Sequence, residues 1–180
     1  QRELNLRRQF EQILTEARQT QTDLILHRSK ADDRQRVLAA GGEIDDAARA
    51  KIAESSAAIV ACAERSLHQV RKNANETASI ELGFRDIREE LVNNGLHTPQ
   101  TLERLDDKIV KPLHAIGTDD YPAVDQAIGL FRLANERKLD PIPTIDASAE
   151  AISVLISHME RVLEEMRKLE TFQEALEQLK

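Results

Sequence analysis

The chain has 180 residues, of which 41% are hydrophobic, 32% charged and 3% aromatic, and its formal net charge is −7 at pH 7. This composition is typical of a folded chain, and no apolar run approaches the roughly 20 residues that a transmembrane helix needs. Its acidic balance, without a basic stripe or interleaved aromatic residues, argues against nucleic acid as a partner.

Both ends of the sequence have a helical pattern that lacks a terminating signal. Residues 1–4 are typical of a helix interior, and residues 176–180 continue an apolar helical repeat to the last position. We therefore expect a segment excised from a longer protein. A signal peptide or a membrane anchor would lie outside the sequence, so attachment to a membrane is expected only through such outer segments.

The first helix is predicted over residues 1–40, before the helix-breaking pair Gly41-Gly42. Seam positions recur at alternating steps of four and three over residues 6–38, which is the heptad pattern of a coiled coil. Three of these positions hold polar side chains: Thr20, His27 and Arg34. They are candidates for a polar layer that sets the helix register or, alternatively, for a ligand-contacting or pH-sensing site.

The second helix is predicted over residues 46–94, with Asp45 or Asp46 as its cap. Its apolar seam runs through Ala74 and Thr77 to the next seam residue with two successive steps of three, which predicts a locally overwound turn. At 1.5 Å per residue this helix would span about 70 Å, whereas a compact globule of this length would be about 40 Å across. The predicted shape is a rod, unless the helix breaks at that turn or at Gly83.

Two short helices are predicted next, over residues 99–117 and 120–138, and together they would form an elbow near one end of the hairpin. Thr98-Pro99 marks the start of the first, because Thr is a good cap and Pro is tolerated at the first helical position. Pro112 lies inside this helix and predicts a kink. Asp119-Asp120, followed by Pro122, would start the second short helix.

The last helix is predicted over residues 147–180, after an extended link at residues 139–143 that contains two prolines. Its seam is the most regular in the chain: Ile152, Leu155, Met159, Val162, Met166 and Leu169, continued by Phe172, Leu176 and Leu179. No stretch alternates like a strand. The predicted fold is all-α: an elongated antiparallel helical bundle or coiled-coil hairpin, with two long helices, a short helical elbow and a long C-terminal helix, in a single unit over residues 1–180.

Signatures of catalytic and metal chemistry are missing from the sequence. None of the five histidines follows a Glu by three positions, no His-Glu-x-x-His motif is present, and a lone cysteine, Cys62, cannot build a Cys-rich zinc site. We therefore predict a protein that is not an enzyme and has no catalytic, cofactor-binding or metal-binding residues. Cys62 is predicted to be a small buried side chain, and His114, close to the Pro112 kink, is a further candidate ligand contact.

Two stretches resemble a known group of proteins. The first, residues 89–113, contains Asn93-Asn94-Gly95-Leu96-His97-Thr98-Pro99, and the second, residues 159–172, contains Met159-Glu160-Arg161-Val162-Leu163-Glu164-Glu165-Met166. They resemble segments of large, uncharacterised, coiled-coil-rich envelope proteins of planctomycetes, in which similar helical regions follow an N-terminal membrane anchor. The resemblance implies an envelope-associated, periplasmic segment of a larger protein and brings no catalytic residues.

Two functions are consistent with these patterns. The first is a non-enzymatic helical spacer, scaffold or protein-interaction segment of a larger membrane-anchored protein, whose heptad faces bind protein partners or a second copy. The alternative is an extracytoplasmic helical-bundle sensor that binds a small ligand near Thr20, His27 and Arg34, or beside Pro112 and His114. The seam of the last helix could face this chain's own hairpin or another molecule.

Overall fold

The structure is a computed structural model that describes the backbone of residues 1–178 and the side chains of residues 1–169. Every regular element in this range is helical, so the all-α prediction is confirmed. In chain order the elements are α1 Arg2–Ala39, α2 Asp46–Asn93, α3 Pro99–Glu103, a first π-helical segment Arg104–Val110, α4 Lys111–Ala115, a second π-helical segment Ile116–Asp120, α5 Tyr121–Glu136 and α6 Ile142–Gln178. The predicted seam positions Phe172, Leu176 and Leu179 lie outside the described side chains.

The helices α1 and α2 form an antiparallel hairpin. Gly41 takes a positive φ of 65° in the connection, and the carboxylate of Asp45 accepts a hydrogen bond from the backbone nitrogen of Ala48 at 2.7 Å, as expected for the predicted cap. The α2 helix continues without a break through Gly83. Its 48 residues correspond to a length of about 72 Å, which makes the bundle elongated.

The buried seam of α2 keeps its heptad spacing where the sequence predicts an overwound turn. Asn73, only 1% exposed, occupies the seam position instead of Ala74, which is partly buried. With its amide nitrogen facing α1, Asn73 donates a hydrogen bond to the Oε2 atom of Glu16 at 2.7 Å. A polar residue can therefore hold this core position, because its hydrogen-bonding partner comes from the opposite helix.

Residues 99–136, which we call the composite helix, form one continuous helical path instead of the predicted two-helix elbow. Three side-chain pairs show that this path runs antiparallel along α2: Arg88 to Asp106 at 2.7 Å, Thr77 to Tyr121 at 2.9 Å, and Arg71 to Asp125 at 2.7 Å. The composite helix is therefore the third rod of the bundle and lies beside the hairpin over most of its own length.

The two π-helical segments explain why the composite helix passes two prolines without breaking. Each segment ends directly before a residue–proline pair, Lys111-Pro112 or Tyr121-Pro122. The backbone nitrogens of Lys111 and Tyr121 donate to carbonyl oxygens five residues earlier, those of Asp106 and Ile116. In a regular α-helix a proline ring collides with the carbonyl four residues before it, and a wider turn relieves that collision.

The α6 helix starts at Ile142, before the predicted start at residue 147. Pro143 lies in its first turn, where a missing N–H leaves no helical hydrogen bond unmade, and the carboxylate of Asp140 accepts from the backbone nitrogen of Ile142 at 3.0 Å. Two pairs, Arg28 to Asp146 and Arg18 to Glu160, place α6 antiparallel to α1, and two more, Asp120 to His158 and Arg104 to Glu165, place it antiparallel to the composite helix.

The result is an up-down-up-down four-helix bundle of α1, α2, the composite helix and α6. The regular seam of α6 is buried within this bundle at each of its described positions: Ile152, Leu155, Met159, Val162, Met166 and Leu169. This seam faces the chain's own helices and is therefore not an exposed interface in the structure.

The buried pair Thr77 and Tyr121 tests the packing of the composite helix against α2. Their hydroxyl oxygens lie 2.9 Å apart, and burial raises the pKa of the Tyr121 phenol. The Tyr121→Phe substitution should lower the free energy of unfolding in urea by about 1 kcal/mol, because it leaves the buried Thr77 hydroxyl without this partner. Adding Thr77→Val removes both polar groups and should recover most of that loss. A double variant much less stable than Tyr121→Phe alone would contradict this account.

Candidate functional site

The three polar residues predicted on α1 are spread along the helix and do not share one site. Thr20, His27 and Arg34 are seven residues apart, which separates neighbours by about 10 Å. The hydroxyl of Thr20 donates to the carbonyl oxygen of Glu16 at 3.1 Å, and the guanidinium of Arg34 donates to Ser56 Oγ at 2.9 Å. His27 is buried among other titratable side chains.

Around His27, the hairpin brings together an aspartate, a histidine and a cysteine. The His27 Nδ1 atom lies 2.7 Å from the carbonyl oxygen of Asp23 and 3.2 Å from its Oδ1 atom. Cys62, which is 0% exposed on α2, faces the same carbonyl with its Sγ atom at 3.8 Å. One potential ligand atom from each of the three side chains lies within 4.8 Å of the other two. We call this group the Asp–His–Cys cluster.

The surroundings of Cys62 keep its thiol protonated. Burial raises the pKa of Cys62 to about 12, and the negative charge of Asp23 contributes in the same direction. The guanidinium of Arg65 pairs with Asp23 Oδ2 at 3.0 Å and so compensates that carboxylate. A thiol with so high a pKa carries almost no thiolate at neutral pH and is therefore not a nucleophile. Cys62 is buried, as the sequence predicts.

A groove of about 510 Å³ lies between the composite helix and α6, and we call it the α4–α6 groove. Its apolar lining includes Pro112, Ile116 and Val162. Inside it the His158 Nδ1 atom lies 2.7 Å from Asp120 Oδ2. Asp120, predicted to help start a helix, instead contacts α6 from the end of the second π-helical segment.

The positive charges of this groove are less compensated than its negative charges. Three of its four carboxylates, those of Asp107, Glu164 and Glu165, each pair with a lysine, and the fourth, Asp120, lies against His158. Lys108 and Arg161 also line the groove, and neither has an ion-pair partner among the side chains that the structure describes. Two free cations beside an apolar lining favour a small anionic ligand with an apolar portion.

His114 lies away from this groove although Pro112 lines it. The His114 Nδ1 atom is 3.2 Å from Glu81 Oε1 on α2, so its side chain points to the opposite neighbour of the composite helix. Sequence reasoning missed His158 and Cys62 as site residues because the partners that define their sites, Asp120 and Asp23, lie on other helices. In the sequence, the groove could have been located only from the pairs Lys111-Pro112 and Tyr121-Pro122, which lie ten residues apart.

No protein-family model, curated protein or solved structure matches the chain. Among the described helices, none has an apolar stretch long enough to cross a lipid bilayer.

The burial of Cys62 predicts an unreactive thiol in the native protein. Iodoacetamide at neutral pH should modify Cys62 slowly in buffer and quickly in urea, because both exposure and thiolate formation require unfolding. Intact-mass spectrometry of timed samples measures both rates. Equal rates in the two conditions would show that the cluster is open to solvent.

Proposed function

We propose that the chain is a non-enzymatic helical scaffold segment that associates with a second copy of itself through the free end of the α1–α2 hairpin. The supporting observation is a long segment without a core. Ala31 and Ile59 are fully buried, yet no residue between them is buried. We call residues 32–58 the arm.

The arm has no core because the other two rods stop before reaching it. The composite helix ends at Glu136, and its ion pair nearest the arm joins Arg132 to Glu64 at 4.0 Å. The α6 helix begins at Ile142, and its first ion pair with α1 joins Asp146 to Arg28. Two helices therefore continue beyond a four-helix body, and a two-helix segment buries little apolar surface by itself.

An apolar cleft follows the arm and its junction with the body. This cleft has a volume of about 760 Å³, and its apolar lining includes Leu38, Ile52, Val60 and Leu139. Leu38, Val60 and Leu139 in this cleft are 52%, 47% and 58% exposed, and Val37, which lines a second groove on the arm, is 45% exposed. Single exposed apolar side chains are ordinary, but several around one concave surface are typical of an interface.

A second copy suits this surface because its own arm would add the two helices that the first arm lacks. The body is closed by four helices, whereas the arm has two. Two arms packed about a twofold axis would complete a four-helix arrangement in which each copy presents the same patch. This supports self-association through the hairpin's own heptad faces.

We propose that this scaffold segment belongs to a larger membrane-anchored envelope protein. The assignment to an envelope protein is supported by the resemblance of residues 89–113 and 159–172 to planctomycete envelope proteins. The absence of catalysis is supported by the sequence and by the neutral, buried thiol of Cys62.

Charge placed on the arm should abolish self-association. The double substitution Val37→Lys and Leu38→Lys should convert a concentration-dependent dimer into a monomer in sedimentation velocity, because four lysines would meet across the twofold interface. Ile25→Lys with Leu26→Lys is the matched control, since these adjacent residues of α1 are 57% and 53% exposed but lie outside the arm. A wild-type chain that stays monomeric at its highest soluble concentration, or a dimer that survives the arm substitutions, would contradict the proposal.

A second candidate function, small-ligand sensing as in an extracytoplasmic helical-bundle sensor, is favoured by the α4–α6 groove. The groove combines an apolar lining with Lys108 and Arg161, and it adjoins the His158–Asp120 pair. The π-helical segments on one wall are a further supporting feature, because π-helical turns are frequent at functional sites. The ligand class supported by these charges is a small carboxylate with a short apolar chain.

Hexanoate is a suitable probe for this groove. At a hundred times its dissociation constant it would add about 2.7 kcal/mol of stability, or roughly 5–11 °C in Tm for a chain of this size. The double substitution Lys108→Ala and Arg161→Ala should abolish the shift, whereas Arg8→Ala, on the exposed face of α1, should leave it unchanged. Equal shifts with hexylamine, which has the opposite charge, would refute the anion assignment.

A further inference from the structure

We infer that Asp23, His27 and Cys62 form a binding site for a borderline-soft divalent cation, with Zn²⁺ as its representative. This inference goes beyond the scaffold proposal, because it concerns the inside of the hairpin within the four-helix body and not the arm. The site would join α1 to α2 by a coordinated ion in addition to their packed seam.

The donor set decides the class of cation. A thiolate, an imidazole and a carboxylate are the three donor types that Zn²⁺ uses in proteins, whereas Ca²⁺ and Mg²⁺ require several oxygen ligands. Bond lengths of about 2.0–2.3 Å place tetrahedral donors roughly 3.3–3.8 Å apart. The three ligand atoms of the cluster already lie within 4.8 Å of one another, so a contraction of about 1 Å is sufficient.

The two helices hold these donors on a rigid framework. Asp23 and His27 are four residues apart on α1 and therefore lie on one face of that helix. Cys62 comes from the facing seam of α2, and both His27 and Cys62 are buried. Such a site differs from an acidic surface cluster, because two of its donors are excluded from water and come from opposite helices.

Arg65 can remain in place when the ion binds. Its Nη2 atom is 3.0 Å from Asp23 Oδ2, while Asp23 Oδ1 lies 3.2 Å from the His27 ring. Arg65 also donates to Oδ1 at 3.3 Å, so binding of the ion to Oδ1 would replace that longer hydrogen bond, while Oδ2 stays oriented by Arg65, an arrangement common in outer shells of metal sites. The Asp23 side chain is 28% exposed, which gives the ion an access path from solvent.

Binding exchanges a proton for the ion. The Cys62 S–H bond breaks, its proton passes to the solvent buffer, and a bond forms between the thiolate sulfur and M²⁺, while the His27 ring stays neutral and binds the ion through its unprotonated ring nitrogen. No electron is transferred. Three protein donors leave the fourth tetrahedral position to a water molecule.

Cobalt(II) is the probe for a test on the full chain after treatment with a chelator. Because Co²⁺ bound to a thiolate absorbs in the near ultraviolet, titration should produce this band with saturation at one ion per chain, and Zn²⁺ should remove it. Cys62→Ser should abolish the band at unchanged helicity. Asp23→Asn, which preserves size but removes the charge, should weaken Co²⁺ binding by about tenfold or more.

His68→Ala is the matched control, because His68 is exposed on α2 and lies outside the cluster. This variant should keep the band and the affinity of the wild type. Three results would contradict the metal site: no near-ultraviolet band in the wild type, a band that persists in Cys62→Ser, or a loss of Co²⁺ affinity in His68→Ala equal to that in Asp23→Asn. The Val37→Lys, Leu38→Lys double variant should bind Co²⁺ normally, so failure of the dimer and failure of the metal site are separate results.

Discussion

The bundle depends on the passage of the composite helix past Pro112 and Pro122 without a break in the helix. A regular α-helix would place each proline ring against the carbonyl four residues earlier and would kink or stop there. The π-helical turns before each proline remove the collision and keep the apolar stripe of residues 99–136 between α2 and α6. Without this third rod the seam of α6 would have α1 alone as a partner, and the body would lose its closed core.

The hairpin contains polar groups that a purely apolar seam would not need. Asn73 reaches Glu16, and Thr77 reaches Tyr121, each across an interhelical contact. A buried polar group is costly unless its hydrogen bonds are made, so every such pair favours one register of two helices over its neighbours. In the Asp–His–Cys cluster the same requirement is met partly by the backbone carbonyl of Asp23. That arrangement holds the three candidate ligand atoms within 4.8 Å of one another.

The molecule divides into a closed body and an open arm. In the body, four helices bury one another's seams; in the arm, two helices continue with exposed apolar side chains at Val37 and Leu38, and Val60 is exposed where the arm joins the body. The division follows from helix length, because α1 and α2 extend past Glu136 and Ile142, where the other rods end and begin. The proposed association uses the open part, whereas the proposed ion and ligand sites belong to the closed part.

The sequence by itself determined the helical class, the extents of α1 and α2 and the described part of the α6 seam, because these follow from periodicity and short-range capping. For the cap of α2 it left Asp45 and Asp46 open, and the structure selects Asp45. It could not determine that Asn73 replaces Ala74 on the seam, since a polar residue is accepted there only through Glu16 on another helix. It also could not separate a kink from a π-helical turn at Pro112, because packing against α2 and α6 favours the continuous path. Of the polar residues predicted on α1, His27 alone joins a candidate site, and it does so through Cys62. Such sites are decided by tertiary structure, because their residues are distant along the chain and meet only when the helices pack.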